Sequence, residues 1–196
     1  NILGYVLLII KEFMVGLSIG FIAYMAFMAI YIAGEIIDMQ IGFGVVSVMD
    51  PISNIQIPVT SNLYFLVSML LLLAINGHHY LIKALFDSFR ELPPGTAVFD
   101  AGLADGLMSL FSNVFSTGFK IAAPVVASIL IADIALGAIS RMVPQLNIFV
   151  IGMPLKILVG VLILVITLPM FADVMEEVFN SMSGSVQNFI KDLKPG

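Results

Sequence analysis

The 196-residue chain contains no cysteine, and only 11% of its residues are charged. Without cysteine, the chain can have neither a disulfide framework nor a thiolate metal site. Basic residues are scarce as well, since 8 Lys and Arg stand against 13 Asp and Glu and the net charge is −5. No basic run occurs in the sequence. This balance argues against a nucleic-acid-binding protein, because such proteins neutralise phosphates with clustered bases.

Motifs of enzyme chemistry are also missing. The sequence contains no Gly-rich phosphate loop, no serine-centred nucleophile motif and no HExxH metal motif. His78 and His79 are adjacent and would point in different directions on a helix, so residues 76–79 are interpreted as a polar helix end. Glu35 and Asp38 share a helix face and could form a cation site, but a solvated helix end is favoured. We therefore predict a protein that is not an enzyme, with no cofactor and no metal.

Apolar sequence is abundant instead. Hydrophobic residues make up 60% of the chain and the mean hydropathy is +1.11, far from an ordinary soluble domain. Four apolar segments, near residues 13–34, 59–75, 106–140 and 148–172, reach the roughly 17–25 residues of a membrane span. We predict helices, because open strands leave backbone groups unsatisfied in lipid. The predicted fold is an all-α, membrane-associated bundle of long, kinked helices with a helical hairpin in the C-terminal half.

The expected organisation is a single helical domain over residues 1–196, with sequence missing upstream of Asn1. Its parts would be a first helix with a loop (1–58), a second helix with a connector (59–105), the C-terminal hairpin (106–182) and a tail (183–196).

Three charges lie inside the third and fourth apolar segments: Lys120, Asp133 and Lys156. A charge at the bilayer centre costs about 3 kcal/mol, so we expect these side chains to face protein or a water-filled path. Asp133 and Lys156 are equally far in sequence from the midpoint of the short connector 142–147. In an antiparallel hairpin they fall at the same height, and we predict that they form a buried charge pair.

Gly16 and Gly20 lie on one face of the first predicted helix, one turn apart. This spacing lets another helix backbone approach closely, so the two glycines are a candidate packing site. The alternative is the ordinary enrichment of glycine in membrane helices.

The loop after the first helix is unusually apolar. It contains Gly42, Phe43, Gly44, Val45, Val46, Val48 and Met49, followed by Asp50 and Pro51, which favour a turn. Irregular backbone at membrane depth is tolerated only where it is buried in protein or lines a pore, and an apolar constriction can close a pore. Residues 42–49 are therefore either a pore plug, anchored by Asp50 and Pro51, or a buried packing loop.

Five short strings, in this order along the chain, indicate a family: MQIG at 39–42, MDP at 49–51, NGH at 76–78, PQLNIF at 144–149, and GMP at 152–154. Between residues 11 and 177 the chain resembles the FliR family, the R subunits of the flagellar type III export gate, which have relatives in virulence secretion. The resemblance implies a gated conduit for unfolded export substrates, in which the loop matching 42–49 plugs the channel.

The resemblance also implies partners and a location. The partners would be the P and Q subunits of the gate (FliP and FliQ), the FlhB switch subunit, unfolded export substrates and membrane lipid. The location would be the bacterial inner membrane, at the flagellar basal body. The alternative function is a secondary transporter that uses Asp133 and Lys156, although no internal repeat supports it. An intramembrane hydrolase would need a catalytic pair that the sequence does not offer.

Overall fold

A computed structural model describes residues 2–43, 58–99, 101–143 and 148–194. In these residues the chain is helical and contains no strand, so the all-α prediction is confirmed. The helices are α1 (Ile2–Ile41), α2 (Val59–Ala74), α3 (Gly77–Glu91), α4 (Ala101–Met142) and α5 (Ile148–Asp192).

Three of these helices, α1, α4 and α5, are long and apolar enough to cross a membrane. α2 and α3 together form a fourth candidate, which is broken by a bend of 70°. α5 has 45 residues and contains Pro154 and Pro169. At 1.5 Å per residue it is about 68 Å long, more than twice the ~30 Å hydrocarbon core of a bilayer. A large part of α5 must therefore lie outside the hydrocarbon region or run strongly tilted.

α1 continues further than the sequence predicts. The first predicted apolar segment ends near residue 34, yet the helix runs to Ile41. The physical reason is that apolar residues keep helical spacing beyond Glu35, since Ile37 and Ile41 are both buried. Likewise, most of the predicted tail 183–196 is the last part of α5, which ends at Asp192.

One compact unit comprises Asn1–Ala29, Ser68–Phe115 and Met175–Gly196. Its core is built from parts of α1, α3, α4 and α5 and from the 92–99 connector. The buried members are Val15, Ile19, Ile22, Ala84, Leu92, Ala97, Leu103, Val186, Phe189, Ile190 and Leu193.

Two neighbouring charges in the first third of α1 position the connector of this unit. The Glu12 carboxylate accepts a hydrogen bond from Gly95 N at 2.8 Å, and Lys11 Nζ donates to Ala97 O at 3.1 Å. These bonds satisfy backbone groups of an irregular segment that would otherwise lack partners.

The other compact unit comprises Ile30–Val67 and Ser116–Val174. Its packing is close at two places. The rings of Tyr64 and Phe171 stack with centroids 4.2 Å apart. Gly160 of α5 faces Ile41 of α1 so closely that an added Cβ would lie 2.7 Å from the Ile41 side chain.

Candidate functional site

Asp38, near the end of α1, is buried, with only 6% of the residue exposed. Both of its carboxylate oxygens lie 3.0 Å from Thr60 N, and one lies 3.5 Å from Ser61 N. The carboxylate is thus the acceptor for the first amides of α2. We call Gly34, Asp38, Thr60 and Ser61 the loop clamp.

The start of α2 explains why a distant acid is needed. The first amides of a helix have no partner within the helix, and a side-chain oxygen of the preceding residue ordinarily accepts from them. Here that residue is Pro58, which has no such oxygen. Asp38, 22 positions before Thr60, takes the role. Its negative charge also interacts favourably with the positive end of the helix dipole.

The same residue closes α1 through its backbone. Gly42 N and Phe43 N both donate to Asp38 O, at 3.0 and 3.1 Å. Gly42 has φ +97°, a left-handed conformation that suits glycine and is typical of a helix C-terminal cap. Asp38 therefore ends one helix with its carbonyl and begins the next with its carboxylate.

A close approach of two backbones completes the loop clamp. A Cβ added to Gly34 would lie 2.3 Å from Ser61 Cα, so only glycine fits there. Ser61 Oγ donates to Tyr31 O at 3.1 Å. These contacts hold the first residues of α2 against α1, so the described residues that flank the 44–57 segment are held close together.

The expectation for Asp38 as part of a solvated helix end was wrong, because the side chain is buried and its oxygens are occupied by backbone amides. Glu35, one turn earlier, is exposed as expected. The signal that was available is the combination of a helix beginning after Pro58 and an acid near the end of the helix before it. In the described part of the chain, no cluster of three or more His, Asp or Glu could hold a metal ion.

The structure describes only the beginning of the predicted plug. Gly42 and Phe43 form the turn that follows α1. The other predicted plug and anchor residues lie outside the described residues; they are Gly44, Val45, Val46, Val48, Met49, Asp50 and Pro51. The plug therefore stays a prediction.

Asp133 and Lys156 are in contact. Lys156 Nζ lies 3.0 Å from both carboxylate oxygens of Asp133, so α4 and α5 lie side by side at this height. The Lys156 and Asp133 side chains are 23% and 36% exposed, so within this chain the pair is half-buried where the sequence predicted full burial. The rest of its surface is open to another subunit, lipid or water.

We expect Asp133→Ala to lower stability by an amount between that of an exposed pair, about 0.5 kcal/mol, and that of a buried one, about 3 kcal/mol. The reason is that Lys156 loses its partner while staying half-buried. The matched variant Asp133→Ala/Lys156→Met removes both charges and should be less harmful. Thermal denaturation of the purified assembly measures both variants. A double variant whose loss of stability equals the summed losses of Asp133→Ala and Lys156→Met, each made alone, would contradict this account.

Gly16 and Gly20 are exposed, and beyond the adjoining turns of α1 no described atom lies within 4 Å of a Cβ added at either position. Their face of α1 is therefore not covered by any other residue that the structure describes. Close helix packing at these glycines remains a prediction, and the helix that packs there would belong to another protein.

Comparison with known proteins identifies the family. The chain matches the model of the bacterial export proteins, family 1, over residues 1–182. It is 37% identical over 189 residues to the flagellar biosynthetic protein FliR of Bacillus subtilis (strain 168), an alignment that covers 95% of this chain and 73% of that protein. The identity to FliR of Escherichia coli (strain K12) is 34% over 186 residues, covering 95% and 71%.

A virulence-system protein is also similar. The secretion system apparatus protein SsaT of Salmonella typhimurium is 30% identical over 167 residues, which cover 83% of this chain and 63% of SsaT. The resemblance drawn from the short sequence strings is thereby confirmed. Since the family model covers nearly the whole chain, this protein belongs to the bacterial export proteins, family 1, the family of the flagellar protein FliR.

Proposed function

We propose that this chain is a structural and gating subunit of the flagellar type III export channel and forms part of the path of unfolded substrates. Membership of the export family makes it a flagellar export component and not a solute transporter. The observation that supports the gating role is the loop clamp, in which Asp38 fixes both ends of an apolar connector. We assign no catalytic step to the chain.

A connector that is held at both ends is well suited to closing a passage. Residues 42–49 are apolar and contain Gly42 and Gly44, so the segment could fill a narrow passage and exclude water from it. Because both ends are held at Asp38, the middle of the connector could move aside for a passing polypeptide without separating α1 from α2. Aliphatic contacts without strong polar bonds would let such a seal reform.

The chain's outer surface supports a place within a larger assembly. Large apolar side chains are exposed along α1, α4 and α5, which are also the candidate membrane spans. Surfaces of this kind need lipid or other proteins to cover them. The partners we propose are the P and Q subunits (FliP and FliQ) and the FlhB switch subunit, at the inner membrane of the flagellar basal body.

The transporter alternative used Asp133 and Lys156 as a charged solute site. In this chain the two groups are occupied with each other at 3.0 Å. The relatives' names and the family model support protein export instead.

Deleting residues 45–48 tests the gate. If they close the passage, cells with the deletion should become leaky to small solutes and lose membrane potential, because the apolar seal is gone. A matched variant replaces Val45, Val46 and Val48 by serine, which keeps the length of the connector and removes its apolar side chains. Both variants should leak, while native gels should show the assembly at its normal level. An assembled deletion variant with unchanged permeability would leave the buried packing loop as the better explanation.

A further inference from the structure

α3 carries an apolar stripe that faces away from the core of its own unit. The residues that it buries are Gly77, Ala84 and Ser88. On the opposite side, Ile82, Phe86 and Phe89 are 50%, 68% and 58% exposed. They follow one another at i, i+4 and i+7 and therefore share one helix face. We call these three residues the outer stripe.

A row of basic residues borders the outer stripe. His79, Lys83 and Arg90 are spaced i, i+4 and i+11, so they lie on one face, immediately beside Phe86. Lys83 and Arg90 form no ion pair with any residue that the structure describes. The acid at the end of the helix, Glu91, is already paired with Lys194 at 3.0 Å.

One acidic side chain remains next to the basic row. Asp87 lies four positions after Lys83 and three before Arg90, on the side of the row away from the outer stripe. The two bases therefore exceed the one unpaired acid, and the positive charge is next to the apolar side chains. An apolar stripe bordered by free positive charge is typical of a helix that lies on an anionic membrane surface.

The bend between α2 and α3 gives the helix a suitable direction. The two helix axes differ by 70°. Asn76 adopts the left-handed conformation at the break, and a Cβ on Gly77 would lie 2.5 Å from the Leu72 side chain, so the corner is closely packed. If apolar α2 runs along the membrane normal, the axis of α3 is inclined by 70° to that normal. Because the membrane plane is perpendicular to the normal, α3 then lies about 20° from the plane.

The geometry points to α3 as an interfacial helix that binds anionic phospholipid. The outer stripe would enter the boundary between headgroups and acyl chains. Lys83 and Arg90 would bind the headgroup phosphates, with the apolar stems of these side chains lying along the outer stripe. Charge complementarity favours lipid over a protein partner. The basic row runs along the whole length of the outer stripe, and an anionic membrane surface would present negative charge along that whole length.

Photocrosslinking in native membranes tests this inference within the complete assembly. p-Benzoylphenylalanine is incorporated in place of Phe86, the most exposed residue of the outer stripe. After irradiation, mass spectrometry of the purified chain should show an adduct with the mass of one phospholipid. The control is the same probe in place of Tyr80, which is exposed on the same helix but lies on the side away from the stripe. There we expect at least a fivefold lower yield of the lipid adduct.

Charge reversal examines the role of the bases. With the probe at position 86, Lys83→Glu/Arg90→Glu should reduce the lipid adduct severalfold, whereas Asp87→Asn should leave it equal or raise it. A protein-sized adduct at position 86 would mean that another subunit covers the stripe, and it would overturn the proposal. Equal lipid adducts at positions 80 and 86, or no adduct at all, would overturn it as well. These outcomes do not depend on whether residues 42–49 act as a gate.

Discussion

Replacing Gly34 by alanine is expected to destabilise the chain by about 3 kcal/mol and to reduce its incorporation into the export assembly strongly. The added Cβ would lie 2.3 Å from Ser61 Cα and 2.5 Å from Ser61 N. Both are backbone atoms, so relief requires moving the start of α2 away from α1. Such overpacking typically costs 1–3 kcal/mol and more where the neighbour cannot adjust, which exceeds the ~1 kcal/mol that alanine gains in helix propensity.

The matched control is Gly137→Ala. Gly137 is also a helical glycine, in α4, and beyond the adjoining turns of that helix no described atom lies within 4 Å of its added Cβ. At this position alanine gains helix propensity without a steric clash. We therefore expect the stability to be unchanged or to rise by up to about 1 kcal/mol. Thermal denaturation of the detergent-solubilised assembly and the amount of chain in that assembly are the measurements. Equal effects of the two variants would show that α1 and α2 are not in close contact at Gly34.

The sequence predicts the long helices well because their signal is local. Runs such as residues 13–34 and 148–172 are apolar throughout, and a helix satisfies its own backbone in lipid. The contact of Asp133 with Lys156 was predictable for a similar reason. A short connector leaves little freedom in register, so counting residues from its midpoint gives the height of each charge.

Other features depend on contacts between residues that are distant in sequence. The local sequence around Asp38 shows only an acidic residue near the end of a helix. Nothing in that helix turn indicates that Thr60 and Ser61 will lie beside it. The separate helix α3 was missed because its break depends on Asn76 in a left-handed conformation. A string of polar residues at that place fits a helix end and a helix corner equally well.

Asp38→Ala should have the second large effect, a loss of about 2–4 kcal/mol. The substitution leaves Thr60 N and Ser61 N buried at the start of α2 without an acceptor. Losing a cap costs about 0.5–2 kcal/mol, and an unsatisfied buried donor about 1–3 kcal/mol. Asp38→Asn keeps one acceptor oxygen and loses the charge, so it should fall between the alanine variant and the native chain. Glu35→Ala, one turn away on the exposed surface, is the control and should change stability by less than ~0.5 kcal/mol.

A second-site change can separate the two roles of Asp38. In Asp38→Ala/Pro58→Asp the new acid stands directly before α2, where it can cap the amides locally. Stability should then recover by about 1 kcal/mol or more relative to Asp38→Ala, because Thr60 N has an acceptor again. The link from the Asp38 carboxylate to the start of α2 is still missing, so Asp38 no longer connects the end of α1 to the start of α2. If the clamp positions a gate, this double variant should assemble yet remain leaky to small solutes. A variant that regains both stability and a tight membrane would show that Asp38 acts as a helix cap alone.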